Sequence, residues 1–550
     1  MRYFMLTLAF LLASATTLHS QNHSADSHQA SHEKPASLMS GLGSHHHPVS
    51  TTNAEAQRFF DQGLTLVYAF NHEEAIRSFR RAAELDPQLA MAYWGIALAL
   101  GPNINLDVDP ARERAAFEAA QQALTLSQKA PENERAYIEA LVKRYSIDPK
   151  ADLKRLAVDY KNAMGEVVKR FPDDLDAATL YAESAMNLRP WQLWTKDGKP
   201  AEGTEEIVSV LESVLRRNPD HIGAIHYYIH AIEASTHPER ALAYAARLAP
   251  QVPAAGHLVH MPAHIYVRTG DYENAARSNK EAAEADQAYI TASGARGVYP
   301  VMYYNHNLHF LAHAYGMAGQ FALALKAGRQ LESNVAPHIK AMPMLEGFMP
   351  TPTLILVRFR RWDEILKSSE PDRAMTVTNA LWHYARAMAY AATGKLESAE
   401  AEQKIFTEAI KTISAETPFG LNKAGSILAP IAGNVLSARI ALARKDKKAA
   451  IALLRTAVAA EDALNYDEPP GWDAPVRESL GGALLLDGNP AEAEKVFRDD
   501  LAKHPRSGRS LFGLMESLKA QGKKADAQMV QREFESAWKK ADVQLRVEDL

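Results

Sequence analysis

Histidines spaced four apart recur at matching positions along the middle of this 550-residue chain. Segment 222–242 aligns with 256–276 at an offset of 34 without a gap, so that His226 falls on His260, His230 on His264 and Ala241 on Ala275. A third copy follows at an offset of 49: His257, His260 and His264 fall on His306, His309 and His313, Tyr266 on Tyr315, and Gly270 on Gly319. The extra 15 residues fit an insertion around 289–303. Residues four apart share one face of a helix. His226/His230, His260/His264 and His309/His313 are therefore three potential chelating pairs. Imidazole suits zinc, copper, iron or nickel. Packed helices lie about 8–10 Å apart and Zn–N bonds are about 2.0–2.1 Å long, so imidazoles from neighbouring helices can share one ion. Glu183 and Glu233 can complete a His/carboxylate set or act as a general base.

Helices must carry these residues, and the rest of the chain is written in the same unit. At 54–87, Phe59, Gly63, Ala75, Phe79, Ala82 and Pro87 mark small and large packing positions. Pro87 stops the second helix of that unit, because proline cannot continue it. A further helix over 90–100 ends at Gly101-Pro102-Asn103. Other units are legible at 174–219, 222–255, 256–288, 305–338, 379–412, 474–507 and 508–541. The stretches 103–172, 340–370 and 420–465 are degenerate but keep helical periodicity, and no segment alternates as a strand does.

A 34-residue period with these packing positions resembles the tetratricopeptide (TPR) superfamily, and the resemblance covers nearly all of 54–541. It implies an all-α fold, a right-handed superhelical solenoid of about eleven helical hairpins. The expected parts are N-terminal repeats at 54–172, His-lined central repeats at 173–338 and C-terminal repeats at 339–541. In that family the first helix of each repeat presents positions 2, 5, 9, 12 and 13 to a concave groove. Carried over, His257 and His306 stand at position 2, His226, His260 and His309 at 5, and His230, His264 and His313 at 9. Glu233 stands at 12 and Arg268 at 13, with His221, Thr179, Glu183 and Asn187 also facing the groove. Pro262 lies inside one of these first helices; it removes a backbone donor and disfavours helix at Met261. His257, and His260 where the helix begins near 261, are thus expected on a loop lip, which makes His257 the least secure ligand.

Insertions at 189–203, 289–303 and 466–473 interrupt the spacing, and long loops in compact repeats are often functional. Trp191, Trp194 and Trp472 in them read better as plugs between hairpins. The blocks His-Met-Pro-Ala-His-Ile-Tyr (260–266), Tyr-Tyr-Asn-His-Asn-Leu-His-Phe (303–310), Glu-Pro-Pro-Gly-Trp (468–472) and Ser-Leu-Phe-Gly-Leu (510–514) resemble those of a group of exported bacterial TPR proteins. That resemblance implies fold and export, and no reaction.

Charged residues make up 23% and hydrophobic ones 47%, ordinary for a soluble folded chain. A net charge of -5 leaves no basic stripe for nucleic acid. With no cysteine, disulfides, thiolate metal sites and a lipoprotein anchor are excluded. Arg2 precedes an apolar run from Tyr3 to Ala13 and the small-residue pattern Ala13-Ser14-Ala15, the form of a secretory signal over 1–20. The run is too short to span a bilayer, so the mature chain is expected to be secreted or periplasmic with no transmembrane anchor. Residues 21–53 are polar, rich in Ser and His, and read as a disordered linker. Its histidines, including His45-His46-His47, can capture metal.

Three functions remain open at this point. The central groove can hold a divalent transition metal (zinc, copper or iron) or a small ligand through its histidines. It can instead grip a peptide or protein partner without metal, Arg268 clamping a carboxylate. It can also be a metal-dependent hydrolase or oxygenase, although there is no H-E-x-x-H, nucleophile elbow or phosphate loop to name a reaction.

Overall fold

A computed structural model describes residues 36–550. Helices fill it from Ala54 to Ala537; among the described residues the only strands are the two-residue antiparallel pair Pro418–Phe419 and Asn422–Lys423. Successive helices fold back on each other as hairpins. Ala54–Tyr68 pairs with His72–Leu85, Ala90–Leu100 with Pro110–Leu126, and the pattern repeats to Gly508–Ala520 with Lys524–Ala537. The molecule is an all-α helical solenoid.

The packing positions read from the sequence do the joining. The Phe79 ring lies between Gly63 and Gly95, where a Cβ would come within 2.6 and 2.5 Å of it. Any larger residue at either glycine displaces the ring. The same device recurs near the other end, where Phe497 sits against Gly481 and Gly513. Helix starts are fixed locally as well: Asn53 caps Ala54–Tyr68 and Asn71 caps His72–Leu85, each side chain accepting from free first-turn N–H groups.

Two departures from the sequence reading shape the site. The second half of the supposed disordered linker, 36–53, lies along the solenoid with Leu42, His47 and Val49 buried. Its anchors are single contacts without periodicity: Met39 N–H donates to Gln62 at 2.7 Å, and His47 N–H donates to Asp61 at 3.1 Å. That is why the segment has no helical or strand signature. The signal and His19, His23, His28 and His32 lie outside the described residues.

The second departure is that, among the described residues, the central histidines are covered and face no open groove. The loop at 466–473 lies over the central helices, bringing Tyr466 against Glu233. Farther on, the Asp542 carboxylate accepts from Phe321 and Ala322 N–H at 2.7 and 2.9 Å, capping Phe321–Val335 from the far end of the chain. On the other side the first hairpin sets Tyr68 and Phe70 against His226. The face expected to be concave and wet is interior. One described stretch, Ala424–Ala443, is long and apolar enough to cross a bilayer, but it is packed into the solenoid with Ile427, Leu428, Ile431, Leu436 and Ile440 buried.

Candidate metal centre

Helix Ile222–Ile232 is buried on every side, and carries His226 and His230 one turn apart. The next hairpin begins with Gly256–His260 and Pro262–Arg268. Met261 between them holds helical angles, φ -50 and ψ -38, so Pro262 interrupts the hydrogen-bond ladder without turning the chain. His257 and His260 therefore stay on the helix and are buried, instead of standing on a loop lip. Helix Tyr304–Met317 brings His306, His309 and His313.

These helices sort the imidazoles into two triads rather than three pairs. His226, His230 and His257 have ligand nitrogens within 4.8 Å of one another, and so do His260, His264 and His306. Each triad takes positions 5 and 9 of one repeat and position 2 of the next. The third pair lacks such a completion. Arg360 has the positive φ of Gly270 and Gly319 at the equivalent turn, +55 against +77 and +73. Counting back from it puts Gly347 at position 2, with no side chain to contribute. His313 bonds Asp473 at 2.6 Å and His309 packs on Phe348, outside both triads. Burial works to raise Asp473, but the His313 ring brings it down to about 2.

Hydrogen bonds to the outer nitrogens fix where the inner lone pairs point. His226 Nδ1 donates to the Tyr68 carbonyl at 2.6 Å. Glu233 accepts from His230 Nδ1 at 2.8 Å with one oxygen and from His264 Nδ1 at 2.5 Å with the other. Asn279 donates its amide N–H to the Ala275 carbonyl, which turns its oxygen to accept from His260 Nδ1 at 2.6 Å. In the neutral imidazole a proton on Nδ1 leaves Nε2 with a lone pair. The Nε2 atoms of His260 and His264 then face each other at 2.7 Å, two acceptors with nothing to share unless a cation or a proton lies between them. His226 and His257 approach Nε2 to Nε2 at 3.1 Å, and His230 Nε2 is buried with no protein partner. Holding each outer nitrogen by an acceptor is how proteins orient metal-binding histidine.

Charge is arranged to suit. Burial, reinforced by neighbouring imidazoles, pushes His226, His257, His260 and His306 well below the ordinary histidine value. Burial lowers His230 too, with Glu233 opposing it. His264 is the exception: burial works against its charge, yet Glu233 holds it above the ordinary value. Burial alone would raise Glu233, but His264 and His230 keep it below the usual carboxylate range, hence ionised. Beside them Glu468, which accepts from Tyr466, is pushed up to about 7 by burial. A narrow cleft of only about 20 Å³, lined by Met186, Arg189, Trp191, Trp194 and Tyr466, ends at His230 and Glu233.

Several expected ligands stand elsewhere. Glu233 orients imidazoles and is not a member of either triad. Glu183 accepts from Asn187 and belongs to neither triad. Thr179 donates to the Leu175 carbonyl. Arg268 donates to the carbonyls of Glu233 and Ser235, both at 3.0 Å, and so braces the end of helix Ile222–Ile232. Trp194 donates to the Ala231 carbonyl and Trp472 is buried beside Tyr384, as plugs should be.

His221 joins a separate cluster with the N-terminal segment. Asp176 accepts from His45 Nε2 at 3.0 Å, His47 Nδ1 at 2.8 Å and Tyr68 at 2.5 Å, and lies 3.3 Å from His221 Nε2. Here His221 Nδ1 accepts from Ala224 N–H, so Nε2 carries the proton and no lone pair is aimed at an ion. This cluster is a carboxylate satisfied by donors. It differs in that respect from the two triads.

Sequence reasoning missed Asn279, Phe70, Phe310, Tyr466 and Glu468. Phe310 left a signal, four residues after His306 on the same helix face, and Tyr466 and Glu468 lie in the insertion at 466–473. The others come from turns, loops or second helices whose approach depends on how the solenoid closes.

A family model described as a tetratricopeptide repeat matches residues 56–89. No curated protein matches the chain. Solved structures aligned with it include the P58(IPK) TPR domain, 11% identical over 86% of this chain and 99% of that one, TM-score 0.23. Another is a human IFIT1 dimer with m7Gppp-AAAA, 14% identical over 89% and 91%, TM-score 0.29. A third is the APC/C hetero-tetramer Cut9-Hcn1, 12% identical over 84% and 76%, TM-score 0.31.

Proposed function

We propose that this tetratricopeptide-repeat chain is a metal-binding protein whose central repeats hold transition-metal ions in two three-histidine sites. One observation carries the reading: the outer nitrogens of four buried histidines are committed to acceptors, which in the neutral rings leaves each Nε2 as an inward lone pair, those of His260 and His264 meeting at 2.7 Å. Buried polar atoms are normally satisfied, and a metal ion satisfies several of these at once. An ion with bonds of about 2.0–2.1 Å needs nitrogens about 3.3–3.5 Å apart. The His226–His257 and His260–His264 separations of 3.1 and 2.7 Å lie within a small side-chain adjustment of that. The apolar N-terminal run supports export, which would put the ions outside the cytoplasm.

Solenoid repeats also suit protein partners, and such a partner would find the outer surface, since the inner face is filled. The test is elemental analysis of the untagged protein, purified without chelators and reloaded. About two ions per chain are expected, falling to none in His230→Ala/His264→Ala with helical circular dichroism retained. Undiminished metal in that folded variant rejects the proposal.

A further inference from the structure

A phenyl ring packs against all three imidazoles of each triad. Phe70 lies 4.5 Å from His226, 6.0 Å from His230 and 5.3 Å from His257, ring centre to ring centre, stacked on the last two at 16° and 23°. Phe310 lies 5.0 Å from His260, 4.9 Å from His264 and 5.6 Å from His306. Both phenylalanines are buried. Phe70 takes a left-handed backbone, φ +54, in the turn between the first two helices. Arg360 and Lys445 hold the same left-handed position in their own hairpin turns, φ +55 and +65, and here that turn delivers the ring onto the triad.

The ligand sets have two further properties. They contain nitrogen only: six imidazoles and no carboxylate, with Glu233 turned to the outer nitrogens. Their charge compensation is also thin. Two divalent ions against the Glu233 carboxylate leave three positive charges in a buried volume, or two where Glu468 is ionised, and two monovalent ions leave one or none. Uncompensated buried charge is strongly disfavoured. Zinc takes four ligands, the fourth often water, whereas a phenyl face supplies no donor and excludes water. Copper(I) is a filled-shell monovalent ion that accepts three nitrogens in a plane.

We infer that the two triads select copper(I), one ion in each, over zinc and other divalent ions. This rests on the metal-binding reading above and specifies its ion. Phe70 and Phe310 set the selectivity by closing the fourth coordination position.

Full-length protein is titrated anaerobically with copper(I) and, separately, with zinc(II), each in competition with a chromophoric chelator, and the copper form is examined by X-ray absorption. The expected result is two tight copper(I) ions, a first shell of three nitrogens at about 2.0 Å with no oxygen, and zinc binding at least tenfold weaker. Phe70→Ala and Phe310→Ala should each admit water, raise the coordination number of one ion to four and narrow the copper preference by tenfold or more. Phe310→Leu, which preserves bulk but not ring shape, serves if the alanine variant does not fold. Zinc bound as tightly as copper(I), or a four-coordinate ion in the wild type, overturns the selectivity while leaving metal binding intact. Failure to bind either ion overturns both.

Discussion

Replacing Glu233 by glutamine removes one charge and one acceptor at almost constant size. In the wild type the two carboxylate oxygens accept from His230 Nδ1 and His264 Nδ1, one histidine from each triad. Glutamine has one acceptor oxygen and presents an NH₂ in place of the other. Whichever imidazole faces the NH₂ must accept there, moving its own proton to Nε2 and withdrawing that nitrogen from the ion. One triad thus falls from three ligands to two while the other keeps its set. Loss of an outer hydrogen bond to a metal-binding histidine costs about 10–100-fold in affinity, or ~1.4–2.7 kcal/mol. Two ions of similar affinity should therefore become one tight and one weakened by about that factor or more. Competition titration resolves the two steps, and circular dichroism checks that Glu233→Gln is folded. Wild-type affinity at both steps would refute the reasoning, because it would mean that Glu233 does not set the tautomers.

Other outcomes follow from the same groups. Because His264 alone among the six triad histidines is held above the ordinary histidine value, one proton should compete with metal near neutrality. The logarithm of affinity should then begin to fall above the ordinary histidine value of about 6.5, with a slope of at most one until the other imidazoles titrate lower; a slope of two or more at pH 7 contradicts this. Asp286, which accepts from Tyr299 and Asn307, is pushed up to about 7 by burial. Its raised value means that its stabilising contribution is present below the unfolded carboxylate range and is lost as pH rises through about 7. Wild type should lose stability relative to Asp286→Asn between about pH 4 and 7, by up to roughly 4 kcal/mol, and parallel melting curves would count against it. Asp176→Asn removes an acceptor shared by His45, His47 and Tyr68. It should cost ~1–3 kcal/mol and release 36–53 to chymotrypsin without lowering metal content; unchanged proteolysis would show that the segment is held by other contacts.

The sequence carried the hairpin architecture because each unit repeats the same local instructions. Phe79 between two glycines and prolines after second helices are short-range signals, legible without the fold. Helical phase likewise placed His226 with His230 and His260 with His264. It did not show that position 2 of the following repeat completes each set, because that depends on how one hairpin stacks on the next. Helical phase also suggested that His309/His313 is equivalent, where Gly347 leaves the third set incomplete and Asp473 arrives instead. The assumption of an open groove made Glu233 a ligand and Arg268 a clamp. Closure by Phe70 from one side and the 466–473 loop from the other makes them an orienting carboxylate and a brace. The anchoring of 36–53 left no periodic signal, since it rests on isolated contacts such as His47 to Asp176.

The central claim is about place: ions lie among the Nε2 atoms of the two triads. Anomalous diffraction from crystals of the loaded protein, collected on either side of the metal's absorption edge, tests it directly. Two peaks are expected, one among His226, His230 and His257 and one among His260, His264 and His306, each about 2.0–2.1 Å from the nitrogens. Peaks confined to the His45–Asp176–His221 cluster, or no peak at the triads in a protein that retains metal, would contradict it.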